Sequence, residues 1–309
     1  MKKKIGIMIV IFTMSILMIS CNKDSEFVEV SNKPKVITTM FVTYDFAREI
    51  GGENIDLELL IPPGVEIHSF EPSPKDMVKL SEADVFIYSG DEMEPWVKQT
   101  IESVDNDKLI VIDASKDIQL MEDDEHENHQ GHNHQHNPHI WTSPLLAKKM
   151  VSNVTEGLKI ADKANESLYI GRLKEYESKL DEIDTSYREM VKNSNRNDIV
   201  FVGHFALNYL LDEYGIDYLA TTESMTHEAE SSPQRIKAII DKIDEEDIEY
   251  IYEEELSDGI ISNRILEERD VKVLVLNGMH NITKSEFESG ISYLDIQRQN
   301  IDNLEKGLK

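Results

Sequence analysis

The sequence predicts an α/β protein with two lobes, each built on a roughly four-stranded parallel sheet flanked by helices, joined by one long rigid linking helix. Two observations predict this fold. From Val36 onward, short runs of β-branched residues alternate with helical stretches, which is typical of parallel α/β units. These runs fall into two sets of about four, with a long helical stretch between them. A chain of 309 residues is long enough for one large or two modest domains.

The predicted strands lie on either side of a long middle section. The first set comprises Val36–Met40, Asp56–Leu60, Asp84–Tyr88 and Lys108–Asp113. The second set comprises Asp198–Gly203, Ile216–Ala220, Ile248–Tyr252 and Val271–Leu276. We find no convincing residue-level repeat between the two sets, so the similarity of the lobes rests on the rhythm of the elements alone.

An apolar stripe in the middle section predicts the linking helix. Its members recur at steps of three and four residues, and they are Leu173, Tyr176, Leu180, Ile183, Tyr187 and Met190. A helix from about Glu166 to Lys192 would extend about 40 Å at about 1.5 Å per residue, enough to span the back of both lobes as a strut. Such a strut permits only small lobe motions, because bending a helix breaks backbone hydrogen bonds. The alternative is an ordinary surface helix of a single domain.

The first twenty residues have the pattern of an export signal. Lysines at positions 2 to 4 precede an apolar run from Ile5 to Ile19. Cys21 follows Met18-Ile19-Ser20 and resembles the lipidated cysteine of a bacterial lipobox, although an uncleaved anchor helix with an incidental cysteine is the alternative. Because Cys21 is the one cysteine of the chain, no intramolecular disulfide can form.

The charge of the chain limits its partners. Thirty-two Lys and Arg residues against 60 Asp and Glu residues give a formal net charge of −28. Such a chain repels nucleic-acid phosphates and anionic lipid head groups, and it attracts cations. Hydrophobic residues make up 40% of the chain, which suffices for an ordinary core and excludes wholesale disorder.

Ten histidines carry most of the chemical information, and five of them lie in one low-complexity segment. The segment Glu122–His136 is rich in Glu, Asp, Asn and Gln, and its histidines are His126, His129, His132, His134 and His136. Such a composition is typical of a metal-gathering loop that binds cations weakly and at several points. The alternative is a merely solvated loop.

Four other histidines stand singly beside ordered-looking sequence. His68, His204 and His280 each come just after a predicted strand, and His139 lies between two prolines in the stretch Asn137–Pro144. Ligands of open α/β sheets bind outside the carboxyl ends of the strands, so at least three of these imidazoles are expected in one cleft. Any one of them alone would more often be a core or surface residue.

Three stretches resemble the metal-binding lipoproteins of bacterial zinc and manganese ABC importers, and the resemblance covers nearly the whole mature chain. These stretches are Leu60–Gly64 with His68–Pro74, Tyr88–Gly90 with Glu94–Trp96, and Asn137–Trp141. The acidic His-rich insertion before His139 is similar to the zinc branch. The resemblance implies two lobes on a rigid helix, metal bound between them, and delivery to a membrane permease.

The resemblance also implies a ligand set. His68, His139 and His204 match the three imidazole ligands of the zinc-binding members. Many members have an acidic residue in the last loop, where this chain has Asn277, and His280 falls where some zinc members have a glutamate. We therefore expect His280 as the fourth ligand, with water or a carboxylate as alternatives. The usual His-Ala-Ala-Phe motif is replaced by His204-Phe205-Ala206-Leu207, a departure that alters cleft packing rather than the ligand.

A nitrogen-rich ligand set favours zinc over manganese, because manganese prefers carboxylate and water oxygens. Copper and nickel bind imidazole at least as well, so selection against them would rest on geometry and availability. Each ligand histidine is expected to donate its other N–H to an acceptor. Candidate carboxylates near the ligands are Glu71, Glu228, Glu230, Glu253, Glu254 and Glu255. His227 is more typical of a surface residue of a cleft loop.

The sequence therefore predicts a non-enzymatic, monomeric, lipid-anchored protein that captures Zn(II) outside the cell membrane and delivers it to an ABC permease. Alternatives are a manganese-binding homologue, a zinc-dependent hydrolase, and an adhesin or zinc reservoir that works through the loop alone. The hydrolase alternative is disfavoured because the sequence has no His-Glu-x-x-His pair and no obvious nucleophile elbow. The predicted segments are a signal peptide at 1–20, a lipidated N-terminus and tether at 21–34, an N-terminal metal-binding lobe at 35–160, a linking helix at 161–194 and a C-terminal metal-binding lobe at 195–309.

Overall fold

The computed structural model describes residues 33–122, 136–222 and 233–309. The predicted export signal, Cys21, the loop histidines at 126, 129, 132 and 134, and His227 lie outside the described residues. Within the described part of the chain, eight parallel strands form two four-stranded sheets. These strands are β1 (Lys35–Thr38), β2 (Asp56–Leu59), β3 (Val85–Tyr88), β4 (Ile110–Asp113), β5 (Asp198–Val202), β6 (Asp217–Ala220), β7 (Tyr250–Glu253) and β8 (Lys272–Val275).

The two sheets have the same strand order, β2-β1-β3-β4 in the first and β6-β5-β7-β8 in the second. We call each sheet with its flanking helices a lobe, N-terminal or C-terminal. All eight predicted strands are present, and no strand end differs from its predicted position by more than two residues. At the end of β1 the predicted strand runs up to Met40, which instead serves as the buried N-cap of the first helix.

Ten α-helices in the described residues connect and cover the strands. They are α1 (Phe41–Gly51), α2 (Pro74–Ser81), α3 (Trp96–Ser103), α4 (Pro144–Ala161), α5 (Glu166–Lys192), α6 (Asn208–Tyr214), α7 (Pro233–Glu246), α8 (Ile260–Glu268), α9 (Lys284–Ser289) and α10 (Tyr293–Leu308). A short 3-10 turn, Ile140–Thr142, precedes α4. None of these helices combines the length and the apolar character that a membrane crossing requires.

Helix α5 has the bounds predicted from its apolar stripe, Glu166–Lys192. Its buried residues face both lobes. The Tyr176 ring meets Phe46 of α1 edge-on at 6.1 Å, and the Tyr187 ring stacks on Tyr214 of α6 at 4.7 Å. The guanidinium of Arg172 donates to the carbonyl oxygens at the end of α1. The helix therefore links the two lobes, as predicted.

The last helix, α10, begins between the lobes. Its first residue, Tyr293, donates its backbone N–H to Asp45 Oδ2 over 2.9 Å and its hydroxyl to the Trp141 carbonyl over 2.7 Å. One apolar core runs through both lobes and includes Val36, Val85, Ile199, Phe201 and Leu304. These contacts cross the predicted boundary between residues 35–160 and 195–309, so the exact segment bounds stay a prediction.

Candidate metal centre

The four isolated histidines all lie on loops at the carboxyl ends of strands. His68 lies between β2 and α2, and His139 directly precedes the 3-10 turn after β4. His204 comes two residues after β5, and His280 lies in the loop that follows β8. Parallel sheets present their ligand-binding loops at this edge, so the topology directs all four loops to one region.

The four imidazoles form a compact cluster. The six distances between ring centroids run from 4.6 Å, for His139 and His280, to 5.6 Å, for His68 and His139. Four points with nearly equal mutual separations occupy the corners of a tetrahedron. One ring nitrogen from each histidine lies within 4.8 Å of the corresponding nitrogens of the other three. The cluster could therefore hold a metal ion, and it is the one such group among residues 33–122, 136–222 and 233–309.

The cluster is buried on most sides. His139, His204 and His280 are 0%, 4% and 7% exposed, whereas His68 is only partly buried. The edge of the Trp141 ring closes the inner side, with centroids 5.4 Å from His139 and 5.6 Å from His280. Solvent therefore reaches the cluster from the side of His68.

Each of the four histidines has its backbone N–H bound by a side-chain oxygen of another residue. The acceptors are Glu66 Oε1 for His68, Asn137 Oδ1 for His139, Glu254 Oε1 for His204 and Glu255 Oε1 for His280, at 2.8 to 3.0 Å. Three of the four acceptors are carboxylates. The same groups that shape the loops therefore also place negative charge beside the cluster, which favours a bound cation.

Asn137 also fixes the ring of His139. Its Oδ1 lies 2.9 Å from His139 Nδ1, and its Nδ2 donates to Asn208 Oδ1 over 2.9 Å. Because the amide nitrogen is engaged by Asn208, the amide oxygen faces the imidazole and accepts the proton on Nδ1. This tautomer leaves Nε2 with the lone pair that a metal requires.

Glu254 lies under the His204 loop. Burial raises the pKa of its carboxyl to about 7, while the hydrogen bond from the His204 backbone lowers it. Gly203 allows this approach, because its φ is +106° and a Cβ there would lie 2.7 Å from Glu254 Oε1. A side chain at residue 203 would displace the carboxylate and strain the backbone.

Hydrogen bonds between the lobes connect the loops that carry the clustered histidines. Asn281, next to His280, accepts a hydrogen bond from the Gly64 N–H and donates to the carbonyl oxygens of Pro62 and Val65, on the His68 loop. Trp141 Nε1 donates to the Gly278 carbonyl over 2.7 Å. A cavity of about 280 Å³ opens beside His280, and both lobes line it, with Glu66 on one side and Glu254 and Glu255 on the other.

The structure distinguishes the candidate carboxylates that contact the histidine loops from those that do not. Glu254 and Glu255 contact ligand loops, whereas Glu253 accepts a hydrogen bond from Ser262 and Glu71 is exposed. Glu228 and Glu230 lie outside the described residues. His136 pairs with Glu122 in an isolated antiparallel bridge and does not belong to the four-histidine group.

The sequence reasoning missed three residues that shape the cluster, Asn137, Trp141 as a donor, and Asn281. Asn137 precedes Pro138-His139, where a short amide side chain two residues before a histidine is a local signal that could have been read. The contacts of Trp141 and Asn281 join residues more than 130 positions apart, and no local pattern indicates them.

Comparisons with known proteins agree with this geometry. The family model for periplasmic component A of the zinc-uptake complex, ZnuA, matches residues 36–307. The high-affinity zinc uptake system protein ZnuA of Bacillus subtilis strain 168 is 32% identical over 283 residues, which cover 90% of this chain and 88% of that protein. The zinc-binding lipoprotein AdcA of Streptococcus pneumoniae strain R6 is 28% identical over 94% of this chain, which spans 58% of that relative.

Solved structures resemble the fold over 89% of the chain. The metal-dependent lipoprotein YcdH of Bacillus subtilis is 33% identical, with a TM-score of 0.77 and 99% of its chain covered. The Zn(II)-bound ZnuA-like domain of Streptococcus pneumoniae AdcA is 29% identical, with a TM-score of 0.75 and 99% covered. The laminin-binding protein Lmb of Streptococcus agalactiae, described as an adhesin with metal-transporting activity, is 26% identical, with a TM-score of 0.76 and 100% covered.

Proposed function

Since the chain belongs to the ZnuA family of zinc-uptake components, we propose that it captures Zn(II) outside the cytoplasm and delivers it to the permease of an ABC importer. The observation that carries this function is the tetrahedral cluster of four imidazoles between the lobes. The zinc ion is the cargo in this role, so the site must bind it tightly and still release it at the permease.

We assign His68, His139, His204 and His280 as the zinc ligands. Zinc accepts imidazole nitrogens at about 2.0–2.1 Å in tetrahedral sites, which corresponds to about 3.4 Å between neighbouring nitrogens. The ring nitrogens of the cluster, all within 4.8 Å of one another, need only a small contraction to reach that spacing. His280 fills the fourth position, for which the sequence left water or a carboxylate as alternatives.

The donor set supports zinc over manganese. Every ligand atom of the group is an imidazole nitrogen, whereas manganese favours oxygen donors. The same set argues against a hydrolase, because catalytic zinc keeps one position open for water and this cluster offers four protein ligands. The protein therefore acts as a binding protein and not as an enzyme.

The sequence supports the cellular setting of this role. The lysine cluster and apolar run before Cys21 support a location outside the cell membrane, with lipid on that cysteine as the proposed anchor. We propose a monomer with an N-terminal lobe at 35–160, a linking helix at 161–194 and a C-terminal lobe at 195–309. The His-rich segment 122–136 gathers cations near the cleft, through His126, His129, His132, His134 and His136.

The test separates the cluster from the His-rich segment. Residues 123–135 are replaced by Asn-Gly, a pair that can connect the antiparallel bridge between Glu122 and His136. The variant is purified without chelator, and its metal content is measured by elemental analysis. We expect one tightly held zinc per chain. A variant that holds no zinc would contradict the proposal and place tight binding in the segment.

A further inference from the structure

The loop that carries His280 depends on one neighbouring side chain for its shape. Glu255 Oε2 accepts a hydrogen bond from the Gly278 N–H over 2.6 Å, and Oε1 accepts one from the His280 N–H over 3.0 Å. The same Oε1 lies 3.5 Å from His280 Nδ1. A single carboxylate thus contacts both the backbone and the imidazole of His280.

We propose that Glu255 is the positioning residue for His280, and that it directs the fourth imidazole toward the cation. The inference rests on the proposed function, in which His280 is a zinc ligand. A carboxylate beside Nδ1 holds the proton on that nitrogen, turns Nε2 toward the metal and makes the imidazole a stronger donor.

Strand order explains why Glu255 can reach this loop. In the second sheet β7 lies between β5 and β8, so the residues after β7 have the His204 loop on one side and the His280 loop on the other. Glu254 contacts His204 and Glu255 contacts His280. Two consecutive glutamates after β7 therefore contact the loops of two different histidines, which follow the strands on either side of β7.

The side chain of Glu255 is largely buried, so its carboxylate depends on the few groups that contact it. Its side chain is 9% exposed, and a carboxylate removed from water is stable only when its oxygens are hydrogen-bonded. The two backbone N–H groups and the imidazole supply that compensation. Gly278 leaves room for the His280 imidazole, because a Cβ at residue 278 would lie 3.0 Å from His280 Nδ1.

The loop needs this support because its backbone conformation is uncommon. Met279, between the two residues that Glu255 holds, has a φ of +59°, in the left-handed region that non-glycine residues rarely adopt. The surrounding contacts must maintain that conformation. On the opposite side of the loop, Trp141 Nε1 holds the Gly278 carbonyl. Glu255 and Trp141 thus hold the same peptide segment from two lobes.

The test is a double-mutant cycle on the full mature chain. Zinc affinity is measured by competition with a chromophoric chelator for the wild type, Glu255→Gln, His280→Ala and the double variant. Glutamine keeps an oxygen acceptor and removes the charge. We expect Glu255→Gln to weaken zinc binding about tenfold in the wild-type background, in the range typical of residues that orient metal ligands. In the His280→Ala background we expect a change below about twofold, because the side chain through which Glu255 acts is absent.

Two further measurements separate positioning from charge and from folding. Glu255→Asp keeps the charge but shortens the side chain, so we expect it to resemble Glu255→Gln rather than the wild type. The visible spectrum of the Co(II)-loaded protein reports the ligand field, and we expect Glu255→Gln to shift it toward the spectrum of His280→Ala. Glu254→Gln is the matched control, because it makes the same carboxyl-to-amide substitution in the same cavity, at a residue that contacts His204. Its Co(II) spectrum should differ from that of His280→Ala.

The outcomes distinguish this inference from the proposed function. If the wild type holds no tight zinc, or if His280→Ala binds it equally well, the function or its ligand assignment fails. If His280→Ala weakens binding while Glu255→Gln binds like the wild type, only the positioning role is overturned. Equal losses from Glu255→Gln in both backgrounds, or full rescue by Glu255→Asp, would also overturn it.

Discussion

In the N-terminal lobe the loops of His68 and His139 are rich in proline, whereas in the C-terminal lobe the loops of His204 and His280 are held by two buried or partly buried glutamates. Pro138 precedes His139, and Pro144 begins the helix that follows. Proline restricts the backbone through its ring, independently of charge. Glu254 and Glu255 restrict their loops through the backbone hydrogen bonds that their carboxyl oxygens accept. The comparison indicates that proline adds a covalent constraint to the histidine loops of the N-terminal lobe, whereas the loops of the C-terminal lobe depend on hydrogen bonds to two adjacent glutamates.

The buried acids of the N-terminal lobe have a different task. Asp45 binds the backbone N–H of Tyr293 at the start of α10, and Glu94 binds the backbone N–H of Ser89. Neither contacts a histidine of the cluster. Buried carboxylates thus stabilise the fold in the N-terminal lobe and the ligand loops in the C-terminal lobe.

The largest expected effect is the loss of His139, the most rigidly held imidazole. His139→Ala removes a fully buried, proposed zinc ligand whose ring is fixed by Asn137, so zinc affinity should fall by more than about 100-fold, beyond the loss typical of residues outside the ligand set. Chelator competition measures the change. His136→Ala is the matched control, since His136 stands three residues away and outside the group, and it should bind within about twofold of the wild type. Equal behaviour of the two variants would contradict the assignment.

Acidification tests whether both lobes contribute nitrogen ligands. Protons compete with zinc for imidazole, so affinity should fall by more than about tenfold between about pH 7.5 and about pH 5.5. Calorimetric titration at several pH values measures this dependence, with the 123–135 replacement used to remove the loop histidines. A flat profile over that range would indicate oxygen ligands.

A smaller effect is expected at Asn281, whose hydrogen bonds join the His280 loop of the C-terminal lobe to the proline-rich His68 loop of the N-terminal lobe. Asn281→Ala removes hydrogen bonds to Gly64, Pro62 and Val65, so the His68 and His280 loops lose their direct link. Zinc should dissociate about three- to tenfold faster, as expected for the loss of one or two net hydrogen bonds. Stopped-flow chelator capture measures the rate. Asn106→Ala truncates an amide that bonds Ala83 within the N-terminal lobe, and its rate should match the wild type.

The smallest effect on zinc is expected at Asp45. Burial raises the pKa of Asp45 to about 7, opposed by the nearby Arg48 guanidinium. Between its ordinary pKa and about 7 the folded chain binds a proton that the unfolded chain has lost, so this group stabilises the fold at acid pH and ceases to do so as pH rises through 7. Asp45→Asn should reduce the decline in stability between about pH 4 and about pH 7 in chemical denaturation of the metal-free protein. Zinc affinity should stay within about twofold of the wild type. A larger change would contradict the conclusion that the buried carboxylates of the N-terminal lobe stabilise the fold and not the histidine loops.

Periodic patterns made the elements predictable. The apolar stripe of α5 marked both ends of the helix, because its buried tyrosines and leucines repeat every three or four residues. The position of single histidines just past strands was enough to predict that their loops meet, since parallel topology puts those ends at one edge. Strand ends were less predictable, because capping by residues such as Met40 depends on the next element.

The supports of the cluster depend on contacts that sequence order does not reveal. Six glutamates were equally plausible beside the ligands, and only the strand order β5-β7-β8 indicates why Glu254 and Glu255 reach two different loops. The link from Asn281 to Val65 spans 216 positions. Such pairings can be identified only from the three-dimensional structure, because the paired residues are far apart in the sequence.

The continuous apolar core has a consequence for how a bound cation stabilises the protein. Since residues of both sheets pack with α5 in one cluster, the chain should melt in a single cooperative transition rather than one lobe at a time. A cation held by loops of both lobes then protects the entire molecule, by about 2.7 kcal/mol at a free concentration 100 times the dissociation constant. Molecules that have released their zinc would be cleaved first by proteases, and the zinc-loaded molecules would persist longer.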